Sequence, residues 1–437
     1  MRTTSRGKRV GACARSNSTR SSRGCRRRGA GGVDHRERDA LLAADPDSAL
    51  PLKVAVLSFS PIARDGRVLR TIGALRSQGH DVTALGFGSR PPLDCAFIEL
   101  PAPGGPMRHR AGIVATQLPA NVAPDLSGRL HFMLHSHRAA RDALVHLRPQ
   151  VVHANDWKAL PSATALQAVN GAAIIYDSHE FAVEEHADNR AWRLVSQRHT
   201  KAIEARFIGR ARIVTTVSDG IADALQALYD LAERPSVIRN TPSFERVDPA
   251  PVDAPLRLLF HGVLKPGRGI EASIGAMRLL PNHHLILRGE GAPAYLRHLR
   301  ALAGSVGLEE RISFEPAVEP AEVVRAASRS HVGLFCAPLD TRHNRFAMPN
   351  KAFEYMMAGL AVVATANTEL AHFLDRHGCG VVADACAPEA IANAVGDLDA
   401  VRLSRLRMGA LHAAAENSWD REQEKLVRII DRLPHPS

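Results

Sequence analysis

The amino-acid sequence predicts an α/β protein built from two doubly wound parallel sheets, and three observations carry that expectation. Short apolar runs alternate with helix-period stretches, first between Leu52 and Val217 and again from Leu256 onward. A segment with prolines at 242, 249, 251 and 255 separates the two series. At 437 residues, 45% of them hydrophobic, the chain is long enough for two domains of about 180 residues, and it holds no run of 18 apolar residues that would span a membrane.

Residues 1–50 are expected to form a disordered basic tail. Residues 1–33 hold ten Lys or Arg and no acid, so they supply most of the formal net charge of +11 and leave about +1 for the rest. The tail has neither an apolar core nor the central apolar run of a secretory signal. It is open to three readings: an electrostatic tether to acidic lipid or nucleic acid, an Arg- and Ser-rich targeting peptide, or an extension without function. The near-neutral remainder argues against nucleic-acid binding by the folded part. Six cysteines, at 13, 25, 95, 336, 379 and 386, show neither C-x-x-C pairing nor zinc spacing, which fits a reduced, cytoplasmic setting.

The first domain is expected over 51–241. Lys53 to Phe59 (KVAVLSF) reads as a strand, SPIARDG as the loop after it, Arg67 to Gly79 as a helix and Asp81 to Gly86 as the second strand. Ligands of doubly wound sheets lie at the carboxyl ends of strands, so Arg64, Asp65, Gly66 and Arg67 should border a cleft. Solvation of a helix start is the competing reading for the two arginines. From Pro101 to Pro149 the pattern weakens, except for an amphipathic stretch from Leu130 to Leu147. Basic residues are frequent there, including Arg129, Arg138, Arg141, Arg148, His131, His135, His137 and His146. Such a stretch is either a plain surface helix or one that rests on an anionic membrane or holds a lipid-linked acceptor. Three further units end in VVHANDW, YDSHEF and TTVSDG. They bring His153, Asn155 and Asp156, then Asp177, His179 and Glu180, then Ser218 and Asp219, to one edge of one sheet.

RNTP leads into a linker at 242–255, and the strand-helix pattern resumes over 256–415 with RLLFHG, HHLILRG, RISFEP, HVGLFCAP, LAVVAT and GCGVVA. No repeat of 20 to 50 residues relates the two halves. A last helical stretch, 416–437, is expected to cross back onto the first domain. The most informative segment is Asn344 to Thr365, NRFAMPNKAFEYMMAGLAVVAT. Pro349 suits a helix's first turn and Gly359 its left-handed stop, so Pro349 to Ala358 reads as a short helix followed by a buried strand. Phe353, Met356 and Met357 can face a core, while Asn350, Lys351 and Glu354 gather on the other face. A helix N-terminus carrying Asn and Lys suits an anion, and a carboxylate one turn deeper suits a vicinal diol. Together they describe a site for a nucleotide diphosphate and its ribose.

That segment resembles the nucleotide-sugar signature of family 4 glycosyltransferases in its P-N-K-x-F-E-Y-M-x-A-G variant. From Leu52 onward the order and spacing of H-A-N-D-W, Y-D-S-H-E, T-V-S-D-G, R-N-T-P, F-H-G-V-L-K-P-G-R-G, R-G-E-G and T-E-L are similar to that family. The resemblance implies the GT-B fold, two Rossmann-like domains facing a cleft, and a retaining transfer of sugar from a nucleotide diphosphate to an acceptor hydroxyl. It places the donor in the second domain, with Gly262 opening the loop after the first strand and Arg268 standing for the basic residue that binds the diphosphate. Gly289 and Gly291 would let backbone approach the nucleotide, and Glu354, the second acid of E-x7-E, would hold the ribose hydroxyls. The nucleotide sugar is then a co-substrate, and no cofactor is expected. The acceptor, a glycan, lipid-linked compound or small molecule, would meet the first-domain edge with Arg64, Asp65, Gly66, Asp156 and Glu180.

The sequence also departs from the family pattern. Phe346 stands where the first acid of E-x7-E would fall, and Val263 where an Arg often follows the loop glycine, with Lys265 two residues on as a substitute. Asn155 occupies the second position of an H-x-H motif, which leaves His153 and His179 as candidates near the anomeric carbon and groups His153, Asn155, His179 and Arg268 as catalytic candidates. The only D-x-D matches, at 45–47 and 397–399, fall at no strand end, so no metal site is expected. A nucleotide-sugar-binding protein without turnover and a nucleotide-sugar epimerase are the alternatives on the same scaffold. Gly289, Gly291 and Ala294 also match a dinucleotide fingerprint, but after a domain's second strand rather than its first, which argues against an NAD-dependent enzyme. Cytoplasmic placement, with contact at the inner membrane face, completes the expectation.

Overall fold

The structure is a computed structural model that describes residues 51–433. The expected disordered tail and the last four residues lie outside the described residues. Seven strands, β1 (Lys53–Pro61), β2 (Asp81–Phe87), β3 (Ala96–Glu99), β4 (Val151–Asn155), β5 (Ala173–Ser178), β6 (Ile213–Thr216) and β7 (Ser236–Val237), form a sheet in the order β3-β2-β1-β4-β5-β6-β7. Six more, β8 (Leu256–His261), β9 (His283–Arg288), β10 (Ile312–Glu315), β11 (Val332–Phe335), β12 (Ala361–Thr365) and β13 (Gly380–Ala383), follow the order β10-β9-β8-β11-β12-β13. Among the described residues all pairings between these strands are parallel. Covered by helices, central strands such as β4 and β12 are buried along their whole length, which is why they read as unbroken apolar runs. Strand order reverses at β1/β4 and at β8/β11, and these switch points open crevices at the carboxyl ends.

Several helices near the cleft start where a short polar side chain caps them. Asp65 accepts the Val68 N–H at the start of α1 (Gly66–Ser77). Next come α2 (His135–Leu147), α3 (Arg198–Phe207) and α4 (Asp219–Tyr229), the last capped by Ser218. The second domain contributes α5 (Arg342–Phe346), α6 (Asn350–Met357), α7 (Thr368–His377), capped by Asn367, and α8 (Ala400–Glu416). Finally α9 (Trp419–Ile430) packs in the first domain, where Trp419, Leu426, Ile429, Ile430 and Leu433 share an apolar cluster with Val54, Ile72 and Leu75. Proline-rich residues between the domains are held against the second one: Arg407 donates to the carbonyls of Gly359, at 2.8 Å, and Ala250, at 2.7 Å.

Three local expectations need correction. Two edge strands, β3 and β7, carry no periodic signal because one is half-buried over four residues and the other has only two residues. The stretch from Leu130 to Leu147 is two helices, Ser127–His131 and α2, rather than one amphipathic surface. Two of its histidines do not face solvent: His131 and His137 are buried with ring centroids 3.9 Å apart, next to Phe59, Trp157 and His199. Arg67 does not solvate a helix start. It is buried and forms two 2.6 Å hydrogen bonds to the carboxylate of Asp177, donates to the Ile238 carbonyl at 3.0 Å, and leaves Thr215 to donate to the same carboxylate at 2.8 Å. Burial would raise the Asp177 carboxyl, but Arg67 outweighs it and holds the group well below the usual carboxylate range.

The buried histidines make stability depend on pH. Burial pushes His137 down to about 3 and His199 to about 4, and pushes His131 well below its ordinary value, with His137 and His199 adding to the effect on His131. The unfolded chain takes up protons below its ordinary histidine value of about 6.5 that the folded chain refuses until roughly 4. Each such histidine therefore costs about 1.4 kcal/mol of stability per pH unit as pH falls through that window. Denaturant titrations at pH 7, 6 and 5 should show a steeper loss for the parent protein than for His199→Gln. Equal slopes for the two would remove the histidine cluster as the cause.

Candidate active site

The second-domain wall of the cleft is assembled from two loops whose backbones touch through glycines and from a lysine side chain laid over one of them. Gly262 follows β8 with φ of 110°, and a Cβ there would lie 2.4 Å from Lys351 Cε. Gly289 follows β9 with φ of 147°, and a Cβ there would lie 1.9 Å from the Gly262 carbonyl oxygen. At Gly291 a Cβ would come within 2.6 Å of the Leu264 carbonyl. The Gly262 N–H donates to Arg288 at 2.9 Å and the Leu264 N–H to Glu290 at 2.7 Å. What Gly289 and Gly291 accommodate in this structure is the neighbouring loop, which extends the β8–β9 pairing and carries Lys265 and Arg268 outward.

Helix α6 supplies the rest of that wall. Pro349 sits at its cap, one position before the first turn, and Gly359 ends it with φ of 71°. Phe353, Tyr355, Met356 and Met357 are buried. The Tyr355 hydroxyl accepts the His261 N–H at 3.1 Å and donates to the Leu334 carbonyl at 3.3 Å, while its ring stacks on His261 at 4.5 Å. With Tyr355 fixed against the sheet, Glu354 turns the other way, and His261 Nε2 lies 2.9 Å from its carboxylate. Burial alone would raise the Glu354 carboxyl, but His261, Lys351 and Arg70 outweigh it and hold it below the ordinary value. Arg70 reaches this point from α1 in the first domain and donates to Asn240 of the RNTP segment. Burial, with Arg67 adding, brings Arg70 down to about 10.

A cavity of about 310 Å³ lies between the domains. Lys265, Arg268, Asn350 and Lys351 line its second-domain side, and the loop after β5 lines the opposite side with His179, Glu180, Glu185, His186 and Asp188. Burial pushes Lys351 down to about 8, with Arg268 and Lys265 adding and Glu354 opposing. Glu180 and Glu185 are pushed up by burial. One wall is therefore cationic and the other carries carboxyls and imidazoles.

Several residues singled out in the sequence lie elsewhere. His153 is buried in β4 and pushed down to about 4 by burial, and Asn155 is fully buried, its amide donating to the Leu57 carbonyl at 3.2 Å. Neither lines the cavity. Asp156 accepts the Trp157 N–H at 2.6 Å and Asp65 accepts the Ser60 hydroxyl at 2.7 Å, so both organise turns. Arg64 is exposed, and Gly66 leaves room for Arg70. Phe346 faces the first domain, packing with Phe181, Val217 and Ile221 while its carbonyl accepts the Ser218 hydroxyl at 2.6 Å. Glu369 of the T-E-L motif accepts the Gly220 N–H at 2.8 Å across the same rim. Among the described residues no group of three or more His, Cys, Asp or Glu is arranged to hold a metal ion. Sequence reading missed Arg70, His261, Asn240 and His343. A signal existed for two of them: His261 immediately precedes Gly262, and Arg70 follows Arg67 by one turn.

Both domains match family models, "Glycosyltransferase Family 4" over residues 67–242 and "Glycosyl transferases group 1" over residues 255–399. The chain belongs to the family 4-like glycosyltransferases. Among relatives of this family, D-inositol 3-phosphate glycosyltransferase of Xylanimonas cellulosilytica is 32% identical over 187 residues, which is 41% of this chain and 42% of that protein. The match thus spans less than half of the relative's length. Sucrose-phosphate synthase from Thermosynechococcus elongatus superposes with a TM-score of 0.69 at 17% identity, covering 87% of this chain and 98% of that one. Anabaena HepE in complex with UDP-glucose gives 0.65 at 14% identity, covering 87% and 100%. WaaG, a glycosyltransferase of lipopolysaccharide biosynthesis, gives 0.64 at 16%, with the same coverage. This glycosyltransferase family member has the GT-B fold, two doubly wound domains facing a cleft.

The glycine contacts lead to a stability test. Gly289→Ala forces a Cβ into the Gly262 carbonyl at a φ that L residues avoid, and should cost about 3 kcal/mol or more. Gly396→Ala, with nothing within 4 Å, is the control and should be near neutral. Equal melting temperatures for the two variants would show that the Gly289 contact is not a structural requirement.

Proposed function

We propose that this protein transfers a sugar from a nucleotide diphosphate to an acceptor hydroxyl, with retention of anomeric configuration and without a metal ion. The observation that carries the reading is the convergence of Lys265, Arg268, Lys351 and the N-terminus of α6 on one wall of the interdomain cavity, with Glu354 one turn deeper. Cations and helix N–H groups suit a diphosphate, and a carboxylate kept ionised by His261, Lys351 and Arg70 suits the two hydroxyls of a ribose. As the sugar leaves, charge grows on the diphosphate. Fixed cations facing that charge stabilise the transition state, the role a divalent ion has in other transferases. Complexes of Anabaena HepE with UDP and with UDP-glucose make UDP the first nucleotide to try, alongside GDP and ADP.

Binding and turnover with the donor found in such a panel test the assignment. Glu354→Ala loses charge-assisted hydrogen bonds to a part of the donor that does not react, so its affinity should fall about 10- to 150-fold with turnover at saturation less affected. Arg268→Ala faces the leaving group and should depress turnover as well. Activity should survive excess EDTA. Unchanged donor binding by folded Glu354→Ala, or activity lost to EDTA and restored by magnesium or manganese, would sink the corresponding part of the proposal.

We also propose that a membrane surface is where the acceptor is met. Met107, Val114, Leu118, Val122, Leu126, Met133 and Leu194 are exposed, and they lie in segments 106–133 and 190–197, which pack against one another. The same segments and the adjoining Arg198 carry six arginines and one acid, Asp125. Apolar side chains among arginines fit an anionic interface. The protein should sediment with vesicles containing an anionic lipid, weakly or not at all with neutral ones, and Leu118→Ser with Val122→Ser should weaken it several-fold. Equal sedimentation with both lipids, or with and without the substitutions, would remove this surface from the account.

A further inference from the structure

The second domain lacks a carboxylate at Phe346, and the first domain brings one to the same cavity. His343 and Phe346 sit one turn apart on α5 and point to different places. Phe346 packs into the first domain's apolar cluster with Phe181 and Ile221 and does not line the cavity. His343 does line it. Its Nδ1 lies 3.3 Å from the Phe181 backbone nitrogen and accepts that N–H, so its own proton sits on Nε2. Nε2 in turn lies 3.1 Å from a carboxylate oxygen of Glu180. Burial, with Arg268 adding, keeps His343 neutral down to about pH 4, so this single-proton arrangement holds across the physiological range. One Glu180 oxygen thus has a polar neighbour from the opposite domain. The other is left for whatever enters the cavity.

We infer that the Glu180–His343 pair forms the sugar subsite of the donor pocket, with Glu180 accepting hydrogen bonds from hexose hydroxyls. The inference rests on the transferase reading above, because Lys265 and Arg268 of the same cavity must hold the diphosphate for the sugar to extend toward Glu180. The occupant is a neutral or amino sugar. Glu185 and Asp188 lie on the same wall, so a hexuronic acid would bring a further carboxylate against this group of acids. His343 acts as a positioning residue that selects one orientation of Glu180. The contact also crosses the domain boundary, so the subsite exists only where the two domains are apposed as they are here.

The experiment compares the affinity of a free nucleotide diphosphate with that of its sugar conjugates, by calorimetry, for the parent protein, Glu180→Gln and His343→Phe. UDP, GDP and ADP are tried first, and the one that binds is then used with neutral hexose, N-acetylhexosamine and hexuronic acid conjugates. Glu180→Gln should leave the affinity for the free diphosphate within twofold and lower the gain conferred by a neutral or N-acetylated sugar about tenfold or more. His343→Phe should reduce the same gain, again with the free diphosphate unaffected, and the hexuronic conjugate should gain nothing in the parent. Failure of every nucleotide to bind the parent would overturn the transferase reading and this subsite with it. If the nucleotide binds but no neutral sugar adds affinity, or the gain survives Glu180→Gln, the subsite assignment alone is overturned.

Discussion

The cationic wall of the cleft exists because two backbone loops and the Lys351 side chain lie closer together than any side chain at Gly262 or Gly289 would allow. The loop after β9 presses on the carbonyl of the loop after β8, and the Lys351 side chain lies across that loop in turn. None of these contacts is strong by itself. Together they leave the backbone little freedom at the carboxyl ends of β8 and β9, where Lys265, Arg268 and Lys351 line the cavity. Lys351 stays near neutrality in its titration because it is desolvated among other cations, a condition an incoming diphosphate would relieve.

The first domain is organised differently. Its cleft edge is braced by the buried Arg67–Asp177 pair, which joins α1 to β5 and, through Ile238, to the chain entering the linker. Removing one partner of such a pair strands a buried charge at a cost of about 3–5 kcal/mol. The pair therefore fixes where the loop after β5 begins, and that loop carries His179, Glu180 and Glu185. Arg70, one turn beyond Arg67, then reaches Asn240 and the neighbourhood of Glu354, so a single helix serves both the bracing of its own domain and the electrostatics of the other.

The fold class was legible because parallel strands buried on both faces leave continuous apolar runs, as in β11 and β12, and the half-buried edge strands β10 and β13 still kept short apolar runs of their own. Edge strands β3 and β7 were not legible, since pairing on one side over a few residues needs no sequence pattern. Around α6 the sequence told which residues face the core, because Pro349, Gly359 and helical periodicity are local signals. Motifs at strand ends were less informative about direction. His153 and Asn155, two positions apart on one face of β4, are both buried in the sheet, and Asp156, the first residue past the strand with φ of 69°, organises the turn. Long-range partners such as the one His343 finds in Glu180 leave no trace in spacing, since they lie 163 positions apart in the chain.

Helix α9 gives the chain an unusual order of completion. The apolar cluster that packs β1, α1 and their neighbours also contains Trp419, Leu426, Ile429, Ile430 and Leu433, the final described stretch of the protein. Synthesis runs from the first strand to the last helix, so the ribosome releases an entire second domain before the first can close its own core. During that interval an apolar face of the first domain waits uncovered. The domain made first is therefore the last to have its core completed, so exposure to chaperones or to like chains falls on the half that carries Arg67 and Glu180 rather than on the half that carries Arg268.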